Sequence, residues 1–583
     1  MAGAAVRDAG TRGRGDAGPE KNEESDVQRY EGMRTLEAEP GRVWTAWRSE
    51  GRFTKNPDVV ALPDGRLLAV YADTNQHWAD GDIRLTLIQS VDKGATWTLA
   101  GILAESDRSK REPHWVTPRL SSLSDGRLVV LCDLDDYEHC NEQQDPGIFI
   151  WWSSDLGKTW SAPENTGIHG IEPDRVIELA DGRLSIGSHM TCVDTQKNAE
   201  FIWRSPDNGK TWGPPVAVAK DAVHLYCEGA FVPLSDGTLV CVMRDNLHNN
   251  YPSQVSYSFD NGDTWTQPVE APFAGDRPFA GQLPDGRLLV TFRNQAGNKG
   301  TYAYLGHLQH DLGYRVSALH AGPAEIAISG EDGLRVAHAS PATTQYNLLP
   351  PESYRSEVVF EAVVRVEGSP SGLGALESLP ASMDESFPGS AYIQLAHMSV
   401  RLSIAADGLY LGDPEHPQRL VDRYWGADMT RWHTVRVQHR GGLVRVYLDG
   451  KDVLRFRHLL PGPFVTTCFG SPRNGTGTSF WRSAKYLVKN QSEPEHSWIW
   501  ESRSGRFPDQ YEIDHLLEVH ANPHPRADNG YSTWLRFDDG EILFLDYTNR
   551  GDPYGQSHVV ACRLREDDFR TAGRRASVPA RDK

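Results

Sequence analysis

A short phrase built around Asp-Gly recurs six times along this chain, and it constrains the fold more than any other feature. It reads LPDGRLLAVY from Leu62, LSDGRLVVLC from Leu123, LADGRLSIGS from Leu179 and LSDGTLVCVM from Leu234. It continues as LPDGRLLVTF from Leu283 and FDDGEILFLD from Phe537. An apolar run, an Asp-Gly turn and a second apolar run form the pattern of a tight β-hairpin. The first five turn aspartates, Asp64, Asp125, Asp181, Asp236 and Asp285, are spaced 61, 56, 55 and 49 residues apart, and Asp539 is the sixth. That period is too long for a lone hairpin and right for a four-stranded blade. A blade cannot bury both faces alone, so several must stack around an axis. The sequence predicts an all-β chain with a six-bladed β-propeller.

Composition narrows the function classes. The chain has 60 basic and 79 acidic residues, a formal charge of −19, which disfavours nucleic acid and anionic membrane as partners. Seven cysteines form an odd count without a Cys-x-x-Cys pair, which argues against zinc ribbons and a disulfide framework. No apolar run of about 18 residues is present, so no transmembrane helix is expected. The first residues lack the apolar core of a signal peptide, and the expected location is cytoplasmic.

A second repeat accompanies the hairpins: SVDKGATW at Ser90, SSDLGKTW at Ser153, SPDNGKTW at Ser205 and SFDNGDTW at Ser258. In each, the Asp can bond backbone N–H groups of its own turn, the Gly can take positive φ, and the Trp can pack beneath the loop. These are expected to be stitches of the fold. Four such Asp-boxes on six predicted blades resemble the sialidase (neuraminidase) superfamily over roughly residues 43–315 and 490–565.

Between the fifth and sixth hairpins the spacing jumps to 254 residues, which leaves roughly 200 for an insertion. Segments such as VVFEAVVRVEG and WHTVRVQHRGGLVRVYLDGKDVLRF alternate apolar and polar residues at period two. The second of these resembles the closing hairpin of laminin-G and concanavalin-like jelly rolls. The expected organisation is a tail over 1–32, blades one to five over 43–321, a β-sandwich over 322–487 between blades five and six, blade six over 488–570 and a tail over 571–583.

Innermost strands converge on a propeller's axis, so residues just before each hairpin face one pocket. They are Lys55, Asn56 and Asp58; His114, Thr117 and Arg119; His169, Glu172, Asp174 and Arg175; His224, Tyr226 and Glu228; Asp276 and Arg277; Asp528, Asn529 and Tyr531. So much charge does not suit mere channel filling. The resemblance implies roles for some of them. Glu228 and Arg244, 16 residues apart around one hairpin, match the sialidase Glu and one arginine of its carboxylate clamp. GYSTWLRFDDG matches the strand of the nucleophilic tyrosine, which implies Tyr531 as nucleophile and Glu228 as its base. The general acid/base is expected on the loop after blade one, as Asp80, with Asp82 and Asp73 as alternatives. Lys55 stands where the family has its first clamp arginine, and the third clamp position falls to Arg277, Arg293 or Lys299.

These residues imply an exo-acting retaining glycoside hydrolase that releases a terminal acidic sugar from a glycan, without a cofactor. An arabinanase-like alternative pairs Glu172 with Glu228 on a neutral sugar. A third reading is a carbohydrate-binding propeller without turnover. His114 and His169 are expected to contact substrate; with His224 they also suggest a metal reading, and neutral hydrogen bonding to a sugar is preferred.

Overall fold

The structure is a computed structural model. It describes residues 27–570 apart from 136–146, 249–250, 296–297, 309–315, 369–389, 396–400, 413–419, 458–464, 472–474 and 492. Six small antiparallel sheets form the six-bladed propeller. Each Asp-Gly phrase closes the hairpin between a blade's first and second strands. In the first, Gly65 takes φ +85° and Leu62 N–H donates to Arg66 O at 2.8 Å. Asp64 Oδ1 accepts Arg66 N–H at 3.1 Å, so the Asp holds the turn while the Gly supplies its left-handed residue.

The Asp-boxes are loop stitches, as expected. Asp92 Oδ1 accepts Thr96 N–H at 2.9 Å, Ser90 Oγ accepts Gly94 N–H at 2.8 Å, and Trp97 Nε1 donates to Gly94 O at 3.0 Å. Asp155, Asp207 and Asp260 repeat the Asp-to-threonine contacts.

Two closures differ from the sequence reading. Blade six takes its outermost strand from the N-terminal side: Val43–Trp47 pairs with His558–Leu564. The ring is therefore closed by joining the two ends of the chain. Blade five takes its outermost strand, Leu516–Ala521, from beyond the insert; it pairs with Gly300–Gly306. The insert therefore leaves from within blade five, one strand earlier than the hairpin spacing suggested, because that spacing marks inner strands and is blind to outer ones.

The insert is a fifteen-stranded sheet that folds over one core. The long strand Gly333–Glu352 belongs to both halves, pairing first with Gly475–Lys489 and then with Val465–Gly470. Phe360, Leu402, Leu409, Phe469 and Trp481 pack into this single core. Gln28–Arg29, expected within the N-terminal tail, pair with Ala327 and Ile328 of the insert. Among the described residues no helix is long and apolar enough to cross a membrane.

Candidate active site

The axis is lined by a repeated backbone irregularity. Register shifts interrupt the inner strands between Lys55 and Asp58, Cys227 and Ala230, Asp276 and Phe279, and Gly530 and Thr533. At the bulge of each sits a non-glycine residue with positive φ: Asn56 at 55°, Glu228 at 55°, Arg277 at 45° and Tyr531 at 58°. Glu172 of blade three, at 51°, is their counterpart. In blade two the inner strand is split into His114–Trp115 and Arg119–Ser122, with Thr117 between. Left-handed backbone costs a non-glycine residue about 1–3 kcal/mol, and it persists only where the surroundings impose it. Here the N–H groups are anchored: Glu172 N–H on Asp133 Oδ2 at 2.8 Å, Glu228 N–H on His189 Nδ1 at 3.2 Å, and Arg277 N–H on Glu228 Oε2 at 2.8 Å.

These bulges bring the chemistry together. The Tyr531 hydroxyl donates to Glu172 Oε1 and lies 3.3 Å from Glu228 Oε1. The two carboxyl groups are therefore two hydrogen bonds apart, about 5–6 Å at most. Arg277 lies over the Tyr531 ring at 4.9 Å and donates to the Glu172 and Pro173 carbonyls at 2.9 and 3.0 Å. Arg293 approaches the same ring at 5.8 Å. Arg244 Nη1 contacts Glu228 Oε1 at 3.2 Å.

Environment drives the two carboxyl groups apart. Burial, then the neighbouring Glu228 charge, push Glu172 up to about 7. Burial acts on Glu228 too, but Arg244, Arg293 and Arg277 hold it well below the carboxylate range, at about 2. Burial, followed by Glu172 and Glu228, raises the Tyr531 hydroxyl well above an ordinary phenol. One protonated acid, one carboxylate and a neutral phenol thus coexist below about pH 7.

The remaining expected site residues fall elsewhere. Asp58, Arg119 and Arg175 form the next ring along the axis, two residues beyond the bulges or nearby. Arg175 pairs with Asp58, donates to Thr533 Oγ1 at 2.9 Å and stacks on Phe279 at 4.4 Å. Arg119 is wholly buried, and burial with the Arg277 charge lowers it to about 10. Arg175 lines hollows with Val59–Ala61 and Ala230–Ser235, and with Asp58 and Thr533 it ties blade three to blades one and six; Arg119 Nε and Nη1 are buried without a hydrogen-bond partner among the described residues.

Lys55 is buried and donates to His77 O at 3.0 Å on the blade-one loop. His114 is buried against Arg108 at 2.9 Å, and burial plus Lys55 lower it to about 3, so it is neutral. His169 is exposed and His224 pairs with Asp245 at 2.5 Å, so the three histidines do not converge. Among the described residues no group of three or more metal-ligating side chains occurs. Asp80 is not brought to the centre: it sits on an exposed loop, held by the Asn75 amide. Asp73 and Asp82 are both taken by Arg52.

Sequence reasoning missed the groups that hold the bulges: Asp133, His189 and Glu200. Asp133 is pushed up to about 6 and Glu200 to about 8, both by burial. A legible signal existed for two of them, since Asp133 in LVVLCDLD and His189 in LSIGSHMT are titratable residues at the same buried position of second strands.

A model of a BNR repeat-like domain matches residues 137–319. The chain is 26% identical over 235 residues to a sialidase of Clostridium perfringens, covering 34% of this chain and 58% of that protein. It is 24% identical over 245 residues to a sialidase of Paraclostridium sordellii, covering 36% and 59%. The match thus spans less than two thirds of either relative. A solved structure of a protein of unknown function from Dyadobacter fermentans superimposes with a TM-score of 0.40 at 17% identity, covering 55% of this chain and 94% of that one.

Proposed function

We infer that this chain, a member of the superfamily of sialidase-like BNR-repeat propellers, is a retaining glycoside hydrolase that removes a terminal sugar from a glycan. One observation carries the reading: Glu172 and Glu228 meet at the Tyr531 hydroxyl on the propeller axis. Two carboxyl groups no more than about 6 Å apart suit retention, in which one carboxylate attacks the anomeric carbon directly. Glu228, ionised and flanked by arginines, is the nucleophile. Glu172, protonated near neutrality, gives its proton to the leaving oxygen as the glycosidic bond breaks and a glycosyl ester forms on Glu228. The resulting Glu172 carboxylate then takes a proton from water, which attacks the anomeric carbon and frees Glu228. Tyr531 holds both carboxyl groups in register.

A second reading is sialidase-type release of a terminal acidic sugar, with Tyr531 as nucleophile and Glu228 as its base. The guanidinium groups of Arg277 and Arg293 over the Tyr531 ring favour it, because they stabilise a phenolate. Against it, Glu228 is held far below the phenol and draws its proton poorly. Kinetics of Glu172→Gln, Glu228→Gln and Tyr531→Phe on a panel of aryl glycosides decide between the two. The carboxylate pair predicts that Tyr531→Phe keeps a reduced turnover, while Glu228→Gln loses it on every glycoside and Glu172→Gln loses it on those with poor leaving groups. Loss of all turnover in Tyr531→Phe, with Glu172→Gln active on glycosides with poor leaving groups, establishes the tyrosine nucleophile instead.

A further inference from the structure

The arginines expected to clamp a substrate carboxylate already hold one. Asp276 opens the inner strand of blade five, Asp276–Gln282, and is 4% exposed. Its Oδ1 lies 2.9 Å from Arg244 Nε, a charge contact in which the N–H is not aimed along the line between the atoms. Its Oδ2 accepts from Arg293 Nε at 3.3 Å and lies 3.3 Å from Nη2. The two arginines occupy matching places near the ends of second strands in blades four and five, Leu239–Asp245 and Leu288–Asn294. One internal carboxylate therefore bridges the pair in the way a bound acid would.

Several donors nearby are also engaged. Arg244 Nη1 faces Glu228 at 3.2 Å, Arg293 Nη1 faces Asn529 O at 3.5 Å, and both Nη groups of Arg277 donate to backbone carbonyls while its Nε is buried without a hydrogen-bond partner among the described residues. An arriving carboxylate would meet Asp276 and Glu228 together, and like charges in a buried site repel strongly. A hydroxyl-bearing sugar meets no such penalty.

We propose that Asp276 is the specificity-determining residue of this centre, a built-in anion that fills the Arg244–Arg293 pair and selects a sugar with no carboxylate facing it. The proposal rests on the glycosidase reading and names the class of sugar that reading leaves open. It also accounts for Lys55 where the related enzymes have an arginine: with the anion supplied by the chain, a third fork has nothing to clamp.

The test uses the full chain, as wild type, Asp276→Asn and Asp276→Ala. Binding of free N-acetylneuraminate is measured by calorimetry, and turnover is measured on neutral aryl glycosides and on an aryl sialoside. The expected result is turnover of a neutral glycoside by the wild type, none of the sialoside, and at least tenfold tighter binding of N-acetylneuraminate by Asp276→Ala. Asp276→Asn keeps the side-chain shape and removes the charge, so the same gain is expected if the Ala variant fails to fold. Sialoside turnover by the wild type, or equal acid binding by wild type and a folded Asn variant, overturns the proposal. If neither variant folds, submillimolar binding of N-acetylneuraminate by the wild type overturns it, and no binding upholds it. Absence of turnover on every glycoside defeats the glycosidase reading alone, because the binding comparison still decides the role of Asp276.

Discussion

Glu172 and Glu228 occupy corresponding places on neighbouring blades, and both hold a left-handed backbone, at φ 51° and 55°. The same irregularity that turns them toward the axis delivers Arg277 and Tyr531. Strain repeated at one position of five blades, and supported each time by buried partners, is an arrangement for pointing side chains inward.

The pH dependence of turnover follows from the split between the two carboxyl groups. Glu172 must be protonated to act as acid, so kcat/KM falls as pH rises through about 7. Glu228 is ionised throughout the working range and sets no limb above about pH 2. Glu172→Gln should lower kcat by roughly 10²–10⁴-fold on glycosides with poor leaving groups. It should lower it far less on an activated aryl glycoside, whose leaving group needs no proton. A pH–rate profile of the wild type, and a leaving-group series for the variant, check both expectations.

Stability should fall on the alkaline side for a related reason. Glu200 is buried, its Oε2 accepts Gly229 N–H at 3.1 Å while its Oε1 has no hydrogen-bond partner among the described residues, and its folded value of about 8 lies above the ordinary 4.5. A raised folded value means that its stabilising contribution is fully present below pH 4.5 and is lost as pH rises through about 8. Glu200→Gln removes the ionisation and keeps the amide's hydrogen-bonding capacity. The variant should melt at or above the wild-type temperature at pH 8.5, while the two differ little at pH 5. Thermal melts at the two pH values decide it.

The blades and their stitches were legible because their chemistry is local. Asp-Gly with flanking apolar runs writes a hairpin within ten residues, and Ser-x-Asp-x-Gly-x-Thr-Trp closes its hydrogen bonds within eight. Glu172, Glu228, Arg277 and Tyr531 were legible as charged or polar residues in strands that should be apolar. Which ring each belongs to was not legible, because a bulge breaks the period of two. Asp58 and Arg175 therefore read as pocket residues, although they are taken up by each other and by Thr533. Asp276 reads as a charge at the axis, but its bridging of Arg293, its partner across the same hairpin, to Arg244 of the neighbouring blade depends on the packing of two blades.

The Asp58–Arg175 layer separates a structural role from a binding one. Asp58 is fully buried, pairs with Arg175 and accepts Leu120 N–H at 2.9 Å and Thr533 Oγ1 at 2.8 Å. Asp58→Ala strands a guanidinium and two donors, and breaking such a pair costs about 3–5 kcal/mol. Melting temperature should drop markedly, while KM at a temperature where the variant is folded should change less than threefold. A large rise in KM without loss of stability would return Asp58 and Arg175 to the substrate site.

Gly530 ties the backbone irregularity to the chemistry most directly. It precedes Tyr531, holds φ +102°, and a Cβ placed there would lie 2.7 Å from the Arg293 Cβ. Gly530 N–H also faces Asp546 Oδ2 at 3.3 Å, and Asp546 is held by Thr301 Oγ1 at 2.5 Å and His520 Nε2 at 3.0 Å. An alanine is therefore opposed twice, by a backbone angle that L-residues resist and by a neighbour whose own Cβ cannot swing away. Relief requires Arg293 or Tyr531 to move, and either shift loosens the hold on Glu172 and Glu228. Displacements of about 1 Å at a catalytic centre cost on the order of 100-fold in rate. Gly530→Ala should thus reduce kcat by about that factor, with a fall in melting temperature of only a few degrees. An active Gly530→Ala enzyme would mean that Tyr531 tolerates displacement and that its bridge between the two glutamates is dispensable for turnover.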